Sequence, residues 1–313
     1  MRGLSALLLL VGTLLLGGVQ AVHAQDTLSI RLDTTPLATF RDARALALDP
    51  MGRRYVVDAG RDAVVVLDTL GRGLRTLGGP GAGAGTFDEP HDVDPTNGLS
   101  LVVADAGNGR LQRLSREGAW LGELVLPGER LNAGEVRQGF ERETAFDDQG
   151  DGQPVGVIVA SDRSVFAIDA QHAQLVKWDA DGRVERLIGD FGAARGRLSA
   201  PVAMAMVNET VWVADADLEA VLVYDAFGTF MRTVGQGIIQ DPHAVVNLGR
   251  SVGVVMPSHI LVFEPTGRLA RRILIDAPAP VMDVALTSRH LLVLTRIALY
   301  AVPRHRLDPP SSH

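Results

Sequence analysis

Three regularities predict an all-β fold, a six-bladed β-propeller built of four-stranded antiparallel blades. First, "ALALDPMGRRYVVDAGRDAVVVLDTLGRGLRTLG" shares its layout with three later segments, which start at His91, Val155 and Val202. Each holds three short β-branched or aromatic runs and a fourth, separated by Gly, Asp or Asn turns, the signal for strands joined by tight hairpins. Second, an aspartate closes the second run each time, at Asp58, Asp105, Asp169 and Asp215. The units recur at about 45 residues, the period of a propeller blade. Third, Gly71, Gly118, Gly182, Gly228 and Gly267 stand where the third run turns into the fourth, a position that needs positive φ.

Taken in order, residues 1–24 read as a secretory signal peptide. Arg2 precedes an apolar run from Leu4 to Val19, and "VHA" places cleavage after Ala24. The run is short for a membrane span, which takes about 20 residues. The expected location is therefore exported, periplasmic or extracellular, and soluble. With no cysteine, neither a disulfide nor a lipidated cysteine is available, so a hydrophobic core alone must hold the fold.

Residues 25–303 form the predicted propeller and 304–313 a C-terminal tail. "TLSIRL", Thr27 to Leu32, belongs to no repeat unit. The sixth unit, "VMDVALTSRHLLVLTRIALYAVP", has only three runs. The expectation is that Thr27–Leu32 supplies its outermost strand, so that an N-terminal strand closes the last blade. The fifth unit keeps its strands and Gly267 but carries Met256 at the aspartate position. Between units two and three, "PGERLNAGEVRQGFERETAFDDQGDGQ" has no apolar period and reads as a surface excursion.

Net charge is −7, Lys177 is the single lysine, and no basic block occurs. Nucleic acid and anionic membrane surfaces are thereby excluded as expected partners. No second long apolar run follows the signal, so no membrane insertion is expected after cleavage.

The innermost strands start at "PHDV" (Pro90), "PVGV" (Pro154), "PVAM" (Pro201), "PHAV" (Pro242) and "PVMDV" (Pro280), with "ARAL" from Ala43 in unit one. Reading the residue after the proline position gives a ring at the channel mouth: Arg44, His91, Val155, Val202, His243, and Val281 or Met282. Arg44, His91, Asp92 and His243 are the candidate ligand-binding residues, because they are the polar departures in an otherwise apolar ring. The closing aspartates read as turn residues that bond nearby backbone N–H groups. "DDQGDG" lacks an acidic residue at the twelfth position of a calcium loop, where Ile158 stands, and reads as a solvated turn. "GGPGAGAGTF" lacks the Lys-Ser/Thr ending of a phosphate cradle.

"EPHDV", "LVVADAGNGRLQRL" and "YVVDAGRDAVVVLD" resemble NHL repeats, and the chain from about residue 27 to 303 is similar to a six-bladed NHL-type propeller. The inner-strand starts also resemble those of the peptidylglycine amidating lyase propellers. That resemblance implies zinc held by three histidines, each in a Pro-His step on alternating blades. His91 matches one such step, its following Asp92 matches an aspartate that supports calcium binding there, and His243 lies in a second Pro-His step. Units four and six carry Val202 and Val281 or Met282 where further histidines would stand. Ala59, Ala106, Ala170 and Ala216 follow the closing aspartates where the lyases use an arginine; Arg296 is the nearest substitute.

The expected function is thus a non-catalytic binding or protein-interaction module. Its protein or small-molecule ligand would meet the channel mouth or the interblade loops. The alternative is a metal-dependent lyase or lactonase-type enzyme at the same mouth. No cofactor is expected; a divalent metal, calcium or zinc, has His91 and His243 as its candidate ligands.

Overall fold

The computed structural model describes residues 27–32, 35–95, 98–127 and 151–307. The expected signal at 1–24, most of the insertion and the tail end 308–313 lie outside the described residues. Two N-terminal strands, β1 (Thr27–Arg31) and β2 (Ala38–Thr39), precede the first blade. Blade one is β3 (Ala43–Leu48), β4 (Arg54–Asp58), β5 (Ala63–Leu67) and β6 (Gly73–Gly78). Blade two is β7 (Pro90–Asp94), β8 (Ser100–Asp105), β9 (Arg110–Ser115) and β10 (Trp120–Val125). Blade three is β11 (Pro154–Val159), β12 (Val165–Asp169), β13 (Gln174–Trp178) and β14 (Val184–Ile188). Blade four is β15 (Pro201–Val207), β16 (Thr210–Asp215), β17 (Ala220–Asp225) and β18 (Phe230–Val234). Blade five is β19 (Ala244–Asn247), β20 (Val252–Met256), β21 (His259–Phe263) and β22 (Leu269–Asp276). Blade six is β23 (Val281–Leu286), β24 (His290–Thr295) and β25 (Ala298–Pro303), completed by β2. Within each blade consecutive strands pair antiparallel.

Burial follows position in the blade. Second and third strands such as "RYVVD" and "AVVVL" are buried along their whole length, because a neighbouring blade covers each face. Continuous apolar runs suit that environment. Outer strands such as "FMRTV" are covered only in part and alternate. The core is accordingly six clusters, one in each seam. Tyr55, Val64 and Val66 of blade one meet Val103 and Leu114 of blade two. The last cluster joins Leu292, Leu294 and Leu299 of blade six to Val56 and Val65 of blade one, closing the ring.

The two repeated signals have visible causes. The turn glycines have φ of 88, 97, 82, 83 and 92° at 71, 118, 182, 228 and 267, a region that L side chains avoid. In the three of these turns that an aspartate opens, its carboxylate fixes the turn from the other side, as where Asp68 Oδ1 accepts the amides of Leu70 and Arg72, both at 2.9 Å, and Asp179 does the same for Asp181 and Arg183. The four closing aspartates are fully buried and accept backbone amides just before the inner strand of their own blade. Asp58 takes Asp42 N at 2.9 Å, Asp105 takes Asp88 N at 2.8 Å, Asp169 takes Gln153 N at 3.1 Å, and Asp215 takes Ser199 N at 2.7 Å. Blade five has Met256 in place of the aspartate, and His243 N bonds Val255 O at 2.8 Å at the start of its inner strand.

One expectation is corrected. Thr27–Leu32 does not close the sixth blade. β1 lies parallel to β22 as a fifth strand on blade five, with Ser29 opposite Leu274. The fourth strand of blade six is instead β2, paired antiparallel with β25, and Leu37 N and Phe40 N extend the ladder to the carbonyls of Leu299 and Ile297. An N-terminal strand does complete the last blade, but it is a later one. The reason is burial: Ile30 is 2% exposed and sits with Ile273, Ile275 and Val302 in the seam between blades five and six, while Phe40 is buried between blades six and one. Each short segment follows the apolar seam it can fill.

Candidate functional site

The inner strands β3, β7, β11, β15, β19 and β23 neighbour one another in chain order, and β23 returns to β3. In five of them the pairing slips by one residue at the start of the strand. The extra residue is Arg44, His91, Val155, Val202 or Met282. Such a bulge re-aims one side chain away from the ladder, here towards the channel. In blade five His243 holds the corresponding place, just before β19. The bulge resolves the sixth position as Met282, since Val281 pairs with Thr295. All six ring residues line one cavity of about 450 Å³. His91 and His243, on facing blades two and five, therefore share a single cavity.

Each histidine is oriented by the following blade. His243 Nδ1 lies 2.6 Å from the Val281 carbonyl oxygen. The oxygen accepts, so Nδ1 carries a proton and Nε2 is the ring nitrogen turned outward. His91 is hydrogen-bonded to the backbone of Val155 on blade three. Its pKa is lowered to about 4, first by burial and then by Arg44; it stays neutral at physiological pH.

Asp92 is held differently from a free ligand group. Its Oδ1 accepts Val93 N at 2.8 Å and its Oδ2 accepts Val157 N of blade three at 2.9 Å. Asp283, at the matching register of blade six, accepts Val284 N at 2.7 Å and Leu46 N of blade one at 2.8 Å. Both carboxyls border the cavity. Burial raises Asp92 to about 7 and Asp283 to about 8, with Asp92 as a further raising charge on Asp283. Their first effect is to tie neighbouring inner strands together.

At the rim, Arg44 Nη2 lies 3.5 Å from Asp42 Oδ2, and Arg296 Nε lies 3.7 Å from Asp42 Oδ1. Asp241 Oδ2 lies 3.8 Å from His243 Nε2. Asp42, Asp241 and Asp283 were not among the residues singled out by sequence. One signal was available: an acidic residue precedes Pro-His in both facing blades. Glu89 and Asp241 adopt φ of 46 and 52°, although a residue before proline favours extended backbone. Strain of this kind tends to sit at functional sites.

The cavity is bordered by polar side chains from four blades. Among the described residues, no group of three or more His, Asp or Glu side chains is placed to hold a metal ion, whereas a catalytic zinc takes three protein ligands. The zinc implied by the lyase resemblance therefore does not fit these residues.

No family model matches the sequence. The brain tumor protein of Drosophila melanogaster is 23% identical over 126 residues, 38% of this chain and 12% of that protein; the chain thus spans a small part of that relative's length. A streptogramin B lyase structure is similar with a TM-score of 0.61 and 14% identity, covering 87% of this chain and 89% of the other. The likeness is one of fold, and in this chain that fold is the six-bladed propeller. Virginiamycin B lyase from Staphylococcus aureus gives 0.58 and 12% over 82% and 78% of the two chains. A catalytically inactive variant of that lyase with quinupristin gives 0.59 and 11% over 83% and 80%. At these identities the likeness extends to the fold alone.

Proposed function

We propose that the protein is an exported, NHL-type propeller that binds a ligand at the channel mouth and does no chemistry on it. The observation that carries this reading is the single cavity shared by Arg44, His91 and His243 on three different blades. Its volume falls within the range of small-molecule sites, roughly 300–1,000 Å³. Two imidazoles and a guanidinium supply polar groups, while Val155, Val202 and Met282 supply apolar surface. The export reading draws on the signal-like residues 1–24.

A defined panel of carboxylates, amines, sugars, short peptides and divalent metal ions tests it by thermal shift. The mature protein is compared with His91→Ala/His243→Ala. At least one panel member is expected to raise the unfolding temperature of the wild type and leave the double variant unmoved. Equal shifts in both proteins, or no shift in either, would overturn the reading.

The second reading is a metal-dependent lyase or lactonase-type enzyme. It draws on the propeller shared with the streptogramin and virginiamycin B lyases. The incomplete ligand set argues against it. Stoichiometric zinc or calcium in the purified protein, by elemental analysis, would favour the enzyme.

A further inference from the structure

The charges at the mouth are segregated. Two guanidiniums, Arg44 on blade one and Arg296 on blade six, share the single carboxylate of Asp42, at 3.5 and 3.7 Å. Both distances exceed the roughly 2.7–2.9 Å of a tight charge-assisted bond. Each guanidinium carries five N–H donors, so this side has an excess of positive charge and of donors. The other side has the opposite character. Asp241 on blade five is 76% exposed at its side chain and lies 3.8 Å from His243 Nε2. His243 has committed its Nδ1 proton to the Val281 carbonyl, which leaves Nε2 and the Asp241 carboxylate as the polar atoms that this side turns to the mouth. The left-handed backbone of Asp241, φ 52°, holds that carboxylate at the rim despite the following proline. Met282 of blade six stands between the two sides in the ring.

We propose that the mouth takes a dipolar ligand, with a carboxylate set on Arg44 and Arg296, an ammonium or N–H group set on Asp241 and His243, and an aliphatic body over Met282. This rests on the reading of the mouth as a binding site. Neither end alone satisfies both sides: an anion leaves the exposed Asp241 carboxylate without a charged partner on the ligand, and a cation leaves the arginines sharing one carboxylate.

Calorimetric titration at low ionic strength tests this with 4-aminobutanoate, 6-aminohexanoate and 8-aminooctanoate. Hexanoate and hexylamine carry one charge each and serve as references. One ω-amino acid is expected to bind at least about tenfold tighter than both references, the worth of one charge-assisted hydrogen bond. Arg296→Gln should remove its advantage over hexylamine, and Asp241→Asn its advantage over hexanoate. Both side chains are largely exposed, so these variants are expected to keep the wild-type unfolding midpoint. If no ω-amino acid exceeds both references, or no probe binds, the dipolar assignment is overturned. Should a reference bind as well as the ω-amino acids and lose binding in His91→Ala/His243→Ala, the mouth remains a binding site and only the dipolar assignment fails. Binding as tight in that double variant as in the wild type removes both.

Discussion

Asp283 on the inner strand of blade six accepts the backbone amide of Leu46 on blade one at 2.8 Å, across the seam where the ring closes. Asp92 makes the matching bond from blade two to Val157 on blade three at 2.9 Å. The channel wall is thus tied side to side by buried carboxyls whose affinity for protons is raised. Removing such a group leaves a buried N–H without an acceptor, at a cost of about 1–3 kcal/mol.

That tie carries a pH dependence of definite sign. Asp283 is raised to about 8 in the folded chain from 3.8. Between those values the native state holds a proton that the unfolded chain has released. Its contribution is full below about pH 4 and is lost as pH rises towards about 8. Asp283→Asn does not titrate. Urea midpoints measured from about pH 5 to 8 should therefore fall more steeply for the wild type than for the variant. Parallel curves would show that Asp283 does not titrate in this window.

His91 works in the opposite direction. Its pKa is depressed to about 4 from 6.5. On acidification through that window the unfolded chain gains a proton that the native site refuses, so stability is present above about pH 6.5 and lost as pH falls. Asp92 opposes this trend, so the informative quantity is the difference from His91→Gln. The wild type should lose more stability than the variant between about pH 6.5 and 4.5; no difference would place His91 in water.

The closing aspartates are structural to different degrees than the turn aspartates. Asp105 is fully buried and accepts Asp88 N at 2.8 Å, Gln112 Nε2 at 2.9 Å and Arg110 Nε at 2.9 Å. Asp105→Ala leaves the Asp88 amide without this acceptor and takes one from the buried Gln112, while Arg110 keeps Glu123 and the carbonyls of Ala82 and Gly83, and should cost about 3 kcal/mol. Asp68 opens an exposed turn and pairs with Arg72, whose side chain is 74% exposed. Asp68→Ala should leave the denaturation midpoint close to that of the wild type. Denaturant titration distinguishes them, and equal costs would refute the assignment.

The placement of β1 is tested by cross-linking, because the chain has no cysteine of its own. Ser29 lies opposite Leu274 on blade five. Ser29→Cys/Leu274→Cys should form an internal disulfide on oxidation, seen as a mobility shift reversed by reductant. Ser29→Cys with a cysteine at Ala301 of blade six should not.

Much of this was legible in the sequence. The repeated aspartates, turn glycines and Pro-x starts mark local chemistry, and local chemistry is written in neighbouring residues. The ring positions at Arg44, His91 and His243 followed from that repeat. The destination of Thr27–Arg31 was not legible, since Leu28 and Ile30 alternate in a way that suits any blade edge; only the seam they fill decides. "PVMDV" carries one residue too many to register by eye, and the bulge that selects Met282 and aligns Asp283 with Asp92 exists only once β23 pairs with β24. Asp42 and Asp241 lie two residues before the ring positions Arg44 and His243 and so were within reach of the repeat, whereas Arg296 comes to the mouth from the loop after β24 and meets Asp42 only in the fold.

The central claim is that the cavity at the channel mouth is where the ligand sits. Val202 lines that cavity on blade four and is only partly buried. The most direct measurement is calorimetric titration of Val202→Trp, checked to be folded by its unfolding midpoint, against the panel member that binds the wild type most tightly. An indole filling the cavity should weaken that binding by about a hundredfold or abolish it. Binding unchanged from the wild type would contradict the claim and place the ligand elsewhere on the propeller.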